Sequence, residues 1–404
     1  MPQSSRAVMT RRDALQTAAV LAAGVFVGGP RVARASSGAR IEETRVISQQ
    51  PTLYHGWPTL ARRKNGELLV VCSGGREEHV CPFGRVELMR SRDGGRTWTF
   101  PQVLIDGPID DRDAGVVETR TGTLLVTTFT SLAFEPVLEK AEAADARPRS
   151  AGEAAGAPGP WPPERLARWQ AARDRVSADD RQRALGVWMI RSTDGGVTWS
   201  APFDCLVNSP HGPVPLSDGR LVYAGKDLWR EGHRVGVCDS ADDGETWRWL
   251  AEIPVRPGDE INNYHELHAV ETADGRIVCH VRNHNPRNVR ETLQTESSDG
   301  GKTWSVPRDI GVWGLPSHLA RLRGGRLLMT YGHRRAPLGN QARVSDDHGR
   351  TWSDPILLSD DGITGDLGYP STVQLDDDTL VTVWYEVMKD SPRAVLRQCR
   401  WSLT

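Results

Sequence analysis

The sequence predicts an all-β protein, a six-bladed β-propeller with a helical insertion in its second blade. Three observations carry this prediction: an octapeptide that occurs five times, a two-strand unit that occurs six times, and a composition rich in glycine and tryptophan. With 40 glycines and 14 tryptophans in 404 residues, the chain has the turn and packing residues that many short strands need.

The octapeptide has the pattern Ser-x-Asp-x-Gly-x-Thr-Trp. Its copies begin at Ser91, Ser192, Ser240, Ser297 and Ser345, with spacings of 101, 48, 57 and 48 residues. Recurrence of this kind predicts a repeat architecture. The aspartate suits a turn because its carboxylate accepts hydrogen bonds from nearby N–H groups, and the glycine supplies a positive φ. We interpret the five copies as structural turns, with a calcium loop as the alternative.

A two-strand unit with a central turn lies upstream of each strand–octapeptide pair. The sixth copy, YPSTVQLDDDTLVTVWYE, has Asp378 in place of the turn glycine and no octapeptide after it. Six copies of a four-stranded unit make a six-bladed propeller, which here would span residues 41–404. We expect the C-terminal run AVLRQCRWSL and the N-terminal run EETRVISQQ to close the ring together.

One segment, residues 134–184, does not fit the repeat. It is rich in Ala, Arg, Glu and Pro and accounts for the spacing of 101 residues. Pro162-Pro163 followed by Leu166 and Trp169 predicts a helix start with a narrow apolar stripe. Because strands of one blade flank the segment, we expect it to lie over the face that carries the site.

The first 35 residues predict a signal peptide. Arg11 and Arg12 precede an apolar run from Ala18 to Gly29, and Ala33-Arg34-Ala35 offers a small-x-small cleavage site. The run is too short for a transmembrane helix. A twin-arginine signal predicts export to the periplasm or the outside of the cell; a disordered tail is the alternative.

Charge and cysteine usage exclude other classes of partner. A net charge of −2 and a pI of about 6.6 predict neither nucleic-acid nor membrane-surface binding. The six cysteines form no CxxC pair and no metal-ligand spacing, so we predict no metal, no cofactor and no disulfide. His265 and His268 are three residues apart, which on a strand places them on opposite faces and argues against a zinc site.

The repeat also predicts which residues share one mouth of the propeller. The positions nine residues before each turn are Trp57, Asp113, Pro210, Glu266, Pro316 and Tyr369. The second strands return to the same mouth and end at Arg76, Lys226, Arg282, Arg334 and Glu386. These side chains could merely plug the axial channel. That alternative fits the prolines better than the charged residues, because charges need partners or solvent.

With these residues in place, the chain resembles the sialidase (neuraminidase) superfamily, whose octapeptide is the Asp-box or BNR repeat. Tyr369, in GYPSTVQL, matches the family's catalytic tyrosine. Glu266 matches the glutamate that activates that tyrosine, and Arg282 matches the second arginine of a carboxylate-binding triad. Glu386, in WYE, matches the glutamate that orients a triad arginine. For the third arginine we select Arg334, which Arg335 follows.

Two departures from the family pattern concern the first blade. Where sialidases have R-I-P, this chain has Gly56-Trp57-Pro58, so the first triad arginine is missing. The following loop, REEHVCPFG, lacks the family's acid/base aspartate and offers only Glu77, Glu78 and His79. We therefore predict His79 as the acid, with Asp113 as the alternative.

Further substrate contacts are predicted around the same mouth. The run IDDRDAGV adds hydroxyl-recognising side chains, and two histidines follow ring prolines; the latter either line the mouth or are structural. The predicted contacts, beside those named above, are Arg76, Asp111, Arg112, Trp57, His211 and His318.

The resemblance implies an exported, exo-acting glycoside hydrolase that removes a terminal acidic sugar, by default sialic acid, from a glycan. Tyr369 would be the nucleophile and Glu266 its base. Two alternatives remain open: another glycosidase or a polysaccharide lyase that uses His79 and Tyr369 on the same fold, and a non-catalytic glycan-binding propeller.

Overall fold

Six four-stranded antiparallel sheets form the protein, in a computed structural model that describes residues 38–146, 160–230 and 234–404. The predicted signal segment, residues 1–35, lies outside the described residues. Adjacent inner strands contact each other around a ring, so the prediction of a six-bladed β-propeller is confirmed. No helix among the described residues is long and apolar enough to cross a membrane.

The strands of the first three blades occupy the N-terminal half of the chain. They are β2 (Tyr54–Arg62), β3 (Leu68–Arg76), β4 (Arg85–Ser91) and β5 (Gln102–Ile105); β6 (Asp110–Glu118), β7 (Leu124–Ser131), β8 (Val187–Ser192) and β9 (Phe203–Asp204); and β10 (Val214–Pro215), β11 (Leu221–Lys226), β12 (Val235–Ser240) and β13 (Arg248–Glu252).

The other three blades follow, and the last one closes the ring. Their strands are β14 (Tyr264–Glu271), β15 (Ile277–Asn283), β16 (Glu291–Ser297) and β17 (Arg308–Trp313); β18 (Ser317–Arg321), β19 (Leu327–His333), β20 (Gly339–Ser345) and β21 (Ile356–Ser359); and β22 (Leu367–Gln374), β23 (Leu380–Val387), β24 (Ala394–Leu403) and β1 (Ala39–Val46). The pairing of β1 with β24 joins the two ends of the propeller and confirms the expected closure.

Apolar side chains from neighbouring blades pack against each other and form the core. Between the first and last blades, Leu68 and Val70 pack in one buried cluster with Val381 and Val383. Fully burying such a side chain stabilises the fold by about 1.5–3 kcal/mol. All six cysteines are buried, with free thiols.

The octapeptides are turns between the third and fourth strands, on the face opposite the mouth. In the fourth copy, Asp299 Oδ1 accepts hydrogen bonds from the Ser297 hydroxyl and the Thr303 amide, both at 2.9 Å. The Thr303 hydroxyl donates to Asp299 Oδ2 at 2.6 Å, and the Gly301 amide donates to the Ser297 hydroxyl at 2.9 Å. The Thr303 donors lower the pKa of Asp299 to about 2, because they stabilise the ionised carboxylate.

The insertion joins β7 to β8, the second and third strands of the second blade. It contains α1 (Glu135–Asp145), α2 (Pro163–Asp174) and α3 (Ala178–Arg183), so the predicted helical insertion is confirmed. Its Leu166 and Trp169 are buried and pack with Cys81 of the β3–β4 loop. The insertion is therefore packed onto the rim of the first blade.

Candidate active site

Three ring residues have a backbone conformation that side chains rarely adopt. The φ angles of Trp57, Asp113 and Tyr369 are 52°, 42° and 52°. The strand pairing slips in register around each of them and around Glu266. Such bulges turn a side chain out of the alternating pleat, and strained backbone of this kind clusters at functional sites. The backbone therefore marks four of the predicted ring positions as site candidates.

The centre of the mouth is a triangle of hydrogen bonds between the last and fourth blades. The Tyr369 hydroxyl donates to Glu266 Oε1 at 2.6 Å, and Arg282 Nη1 donates to the same oxygen at 2.6 Å. Arg282 Nη1 also lies 2.9 Å from the Tyr369 hydroxyl oxygen. The structure thus brings together three residues that are 103 and 16 positions apart in the chain.

The surroundings of this triangle shift the pKa values of Glu266 and Tyr369 in opposite directions. Burial favours the neutral form of Glu266, but Arg282 and the Tyr369 hydroxyl outweigh it and lower the pKa of Glu266 to about 2. Burial, with the Glu266 carboxylate next in effect, raises the pKa of Tyr369 well above its ordinary value. At neutral pH the site therefore holds a neutral phenol against an ionised carboxylate, the arrangement in which a base can accept the phenol proton.

The flank of Arg282 contains two histidines that the sequence did not select as site residues, beside Lys226, which the sequence placed at the same mouth. Arg282 Nε donates to His284 Nε2 at 3.0 Å, and the His284 ring lies 4.5 Å from the His265 ring, centroid to centroid. Lys226 Nζ donates to the Asn262 carbonyl at 2.8 Å. A signal for His284 existed, because it follows Arg282 by two residues and such residues share a strand face.

Asp113, on β6 of the second blade, lies beside Arg112 and close enough to Glu266 and Arg282 to feel their charges. Burial raises the pKa of Asp113 to about 7 against the opposing charge of Arg112, and the Glu266 carboxylate adds to the rise. The neighbouring Arg112 donates to Asp110 Oδ2, at 3.4 Å. Asp113 can therefore hold a proton near neutral pH and present it to a ligand.

Trp57 and Arg76 are enclosed by protein, whereas the sequence placed both among substrate contacts. Trp57 is 1% exposed, and the guanidinium carbons of Arg112 and Arg76 lie 4.4 and 5.0 Å from its ring centroid. Arg76 is fully buried and makes a bidentate pair with Asp110, at 2.5 and 2.9 Å. The structure gives these two side chains a packing role behind the mouth.

Asp111 and Glu386 are also buried, with hydrogen-bond partners inside the protein. Asp111 Oδ2 accepts the Gly107 amide at 2.6 Å, and burial raises the pKa of Asp111 to about 7. Glu386 Oε1 accepts from Arg397 at 2.5 Å and from the Trp384 indole at 2.7 Å. Glu386 therefore pairs with Arg397, a partner that the sequence did not predict, instead of orienting Arg334.

Arg334 and Arg335 extend from the end of β19 towards different neighbours. Arg334 is half-buried, and its Nε donates to the Leu367 carbonyl at 3.1 Å. Its charge opposes the raised pKa of Tyr385, so it lies near the aromatic side of the mouth. Arg335 is exposed and stacks on Trp313 at 3.7 Å. Of the two, Arg334 is the better placed for a ligand in the mouth.

His211 and His318 lie in the protein interior with His268, which favours the structural alternative for both. The His268 and His318 rings stack at 4.6 Å, and His211 packs edge-on against them at 5.1 and 4.9 Å. His268 accepts the Leu319 amide and His318 accepts the Thr372 amide, whereas neither ring nitrogen of His211 has a hydrogen-bond partner among the described residues. Burial lowers the pKa of all three histidines.

Replacing His211 by leucine is expected to reduce the loss in the free energy of unfolding that occurs as the pH falls below about 6.5. In the folded protein the buried ring stays neutral, whereas in the unfolded chain it takes a proton below about pH 6.5. Protonation therefore favours the unfolded state, and the protein loses stability as the pH falls below that value. Between pH 6 and pH 5, the free energy of unfolding of His211→Leu should rise relative to that of wild type by about 1.4 kcal/mol per pH unit. Urea unfolding of both proteins at pH 7.5, 6 and 5 measures this difference. A difference in the free energy of unfolding that is the same at all three pH values would contradict the prediction.

The β3–β4 loop, which carries His79, is fixed on one side by α2 and is open on the other. On one side Glu77 accepts from the Trp169 indole at 2.8 Å and pairs with Arg168, while Glu78 pairs with Arg165 of the same helix. Both glutamates are thus used to dock α2 and are not free acids. On the other side, His79 is 48% exposed and lies at the rim of the mouth.

The fold and the site define a sialidase-like β-propeller. The chain belongs to the BNR repeat-like domain family, whose model matches residues 168–383. A sialidase of Bacteroides fragilis (strain YCH46) is 25% identical over 228 residues, which are 50% of this chain and 39% of that relative. A sialidase of Paraclostridium sordellii is 23% identical over 281 residues, 63% of this chain and 57% of that relative. The chain thus spans less than two thirds of either relative.

Solved structures share the propeller. A Dyadobacter fermentans DSM 18053 protein of unknown function aligns with a TM-score of 0.72 and 23% identity, over 91% of this chain and 100% of that one. The Hadza microbial sialidase Hz136 aligns at 0.59 and 19%, over 86% and 65% of the two chains. Trypanosoma rangeli sialidase, in complex with 2,3-difluorosialic acid, aligns at 0.55 and 19%, over 86% and 54%. At these identities the likeness shows the fold.

Proposed function

We propose that this protein is an exported, exo-acting glycoside hydrolase that removes a terminal acidic sugar, by default sialic acid, from a glycan. The observation that carries the proposal is the contact of the Tyr369 hydroxyl with Glu266 at 2.6 Å, with Arg282 bound to both. The relatives named as sialidases support the substrate class. Export rests on the predicted twin-arginine signal in residues 1–35.

In the proposed reaction Glu266 Oε1 takes the phenol proton as the Tyr369 oxygen bonds to the anomeric carbon. A neutral phenol suits attack beside a sugar carboxylate, because an ionised nucleophile would be repelled. Arg282 stabilises the charge that develops on the phenol oxygen, since its Nη1 already lies 2.9 Å away. Burial lowers the pKa of this guanidinium less than Glu266 and Tyr369 raise it, so Arg282 stays charged.

The charges around the mouth also suit an anionic sugar. Arg282 and Arg334 are the predicted carboxylate ligands. Arg112 adds a guanidinium on the first-blade side, where it stacks 4.4 Å from the ring of Trp57, the residue that stands in place of the missing arginine. Asp113, with a pKa of about 7, is protonated in part of the molecules at neutral pH and then donates a hydrogen bond instead of repelling the ligand.

Covalent trapping tests this proposal. A 2,3-difluoro analogue of sialic acid should add its glycosyl mass to the peptide that contains Tyr369, and the Tyr369→Phe variant should take up none. Turnover of a fluorogenic sialoside should accompany the adduct. If wild type gives neither adduct nor turnover, sialic acid is not the substrate.

The same assays separate the two alternatives. A lyase would release an unsaturated product that absorbs in the near ultraviolet, and it would leave no adduct on Tyr369. A non-catalytic glycan-binding propeller would bind glycans equally well with Tyr369 or with phenylalanine at that position, and would turn over neither kind of substrate.

A further inference from the structure

A second polar cluster lies at the rim of the mouth, centred on a carboxylate that the sequence did not single out. Asp366, in the segment between β21 and β22, has His79 Nδ1 2.8 Å from its Oδ1. The Tyr54 hydroxyl donates to Asp366 at 3.1 Å, and the Tyr385 hydroxyl donates at 3.0 Å. Asp366 thus connects the β3–β4 loop with inner strand β2 of the first blade and with β23 of the last.

The hydrogen-bonding capacity of this cluster determines the tautomer of His79. Burial favours the neutral form of Asp366, but His79 and the two phenols outweigh it and lower the pKa of Asp366, so it is an ionised acceptor. Burial raises the pKa of Tyr54 and of Tyr385, so both phenols keep their protons and donate. His79 Nδ1 also lies 3.1 Å from the Tyr54 hydroxyl, but its nearer neighbour, at 2.8 Å, is the Asp366 carboxylate, which can only accept and therefore requires a hydrogen on Nδ1. The nitrogen left for a ligand is therefore Nε2.

The position of His79 suits proton delivery to a leaving group. Its ring stands edge-on to Trp57, with centroids 5.0 Å apart, and edge-on to Tyr54 at 6.0 Å. Trp57 in turn lies 5.8 Å from Tyr385, which lies 5.8 Å from Tyr369. Tyr369, the proposed nucleophile, lies on inner strand β22 at the bottom of the mouth, whereas His79 lies in the β3–β4 loop at its rim. Attack from the bottom of the mouth expels the leaving oxygen on the opposite face of the sugar, towards the rim.

We propose that His79 Nε2 gives the proton to the glycosidic oxygen and that Asp366 is the positioning residue that holds His79 in this role. The inference rests on the proposed function. As Tyr369 bonds to the anomeric carbon, the bond from that carbon to the leaving oxygen breaks, and the oxygen takes the proton from the imidazolium Nε2. The neutral ring then takes a proton from the water that attacks the glycosyl–tyrosine bond, and the tyrosine oxygen recovers its proton from Glu266.

The test compares two leaving groups. A 4-methylumbelliferyl sialoside has a phenolic leaving group that departs with little protonation, whereas 3′-sialyllactose has an alkyl oxygen that needs the proton. For His79→Gln, kcat on 3′-sialyllactose should fall by about 10²–10⁴-fold, with a much smaller loss on the aryl substrate. Asp366→Asn should show the same selectivity, with a loss of about 10²-fold or more on 3′-sialyllactose. The matched control is Asp360→Asn, an exposed aspartate of the same loop, which should change neither rate.

A measurement that needs no turnover tests the positioning role. In ¹⁵N-histidine NMR spectra at alkaline pH, the His79 resonance is the one that disappears in His79→Gln. In wild type this resonance should show the Nδ1–H tautomer. In Asp366→Asn the tautomer equilibrium of His79 should shift towards Nε2–H. An unchanged tautomer, or full activity of His79→Gln on 3′-sialyllactose, would overturn the inference. If wild type cleaves neither sialoside, the proposed function fails and takes the proton-delivery step with it. The tautomer then still decides whether Asp366 positions His79.

Discussion

Replacing Tyr369 by phenylalanine is expected to lower kcat by about 10⁴-fold or more, because it removes the only protein atom that the proposed mechanism bonds to the sugar. The loss should lie in kcat. Ligand binding relies on Arg282, Arg334 and Arg112, which the substitution leaves in place, so the affinity for a thiosialoside, which is not cleaved, should change little.

The matched control for this prediction is Tyr331→Phe. Tyr331 is also a buried tyrosine of a propeller strand, and its hydroxyl donates to Gln341 at 2.8 Å in the fifth blade. This variant should keep wild-type kcat. Equal losses in both variants would attribute the effect to the fold, and retention of activity in Tyr369→Phe would refute the tyrosine nucleophile.

Replacing Asp110 by asparagine is expected to destabilise the fold by about 3–5 kcal/mol, the largest stability effect we predict for a single polar side chain. Asp110 and Arg76 are both fully buried and share two hydrogen bonds, at 2.5 and 2.9 Å. A neutral amide would leave the Arg76 guanidinium as a buried charge without its compensating partner. Urea unfolding at pH 7.5 measures the loss.

Two further variants decide whether burial causes that loss. Asp376→Asn breaks ion pairs with Arg62 and Arg323, but Asp376 is 81% exposed, so the change should stay below about 1 kcal/mol. The double variant Arg76→Met/Asp110→Leu removes both charges and should recover part of the stability. A loss of less than about 1 kcal/mol in Asp110→Asn would show that the pair is not energetically important.

The sequence alone was sufficient for the fold and for selecting the three residues that meet at the centre of the candidate site. Each octapeptide and two-strand unit is a local pattern, made of turn residues and alternating apolar positions, so its structure can be read without knowing what packs against it. Repetition then determines the arrangement, because each blade meets a neighbour like itself. Tyr369, Glu266 and Arg282 could be selected because each has a defined place in its repeat.

Tertiary structure decided which of the other predicted residues are enclosed by protein and which are open to the mouth. Arg76, Asp111 and Glu386 hold positions along their strands like those of Arg282 and Asp113, yet neighbouring blades enclose them and supply partners that are distant in sequence. Glu386 pairs with Arg397, for example. Burial at these positions depends on which residues of other blades pack against them, so it cannot be predicted from the pattern of residues along one strand.

The same reason explains why Asp366 could be found only in three dimensions. It lies in a connecting segment with no place in the repeat, and its role comes from Tyr54, His79 and Tyr385, three residues of two different blades. The pKa of Asp113, about 7, likewise arises from burial and from Glu266 across the mouth. Sequence periodicity thus determined the propeller and the places of Tyr369 and Glu266 in it, whereas the packing of blades against each other determined protonation, orientation and access.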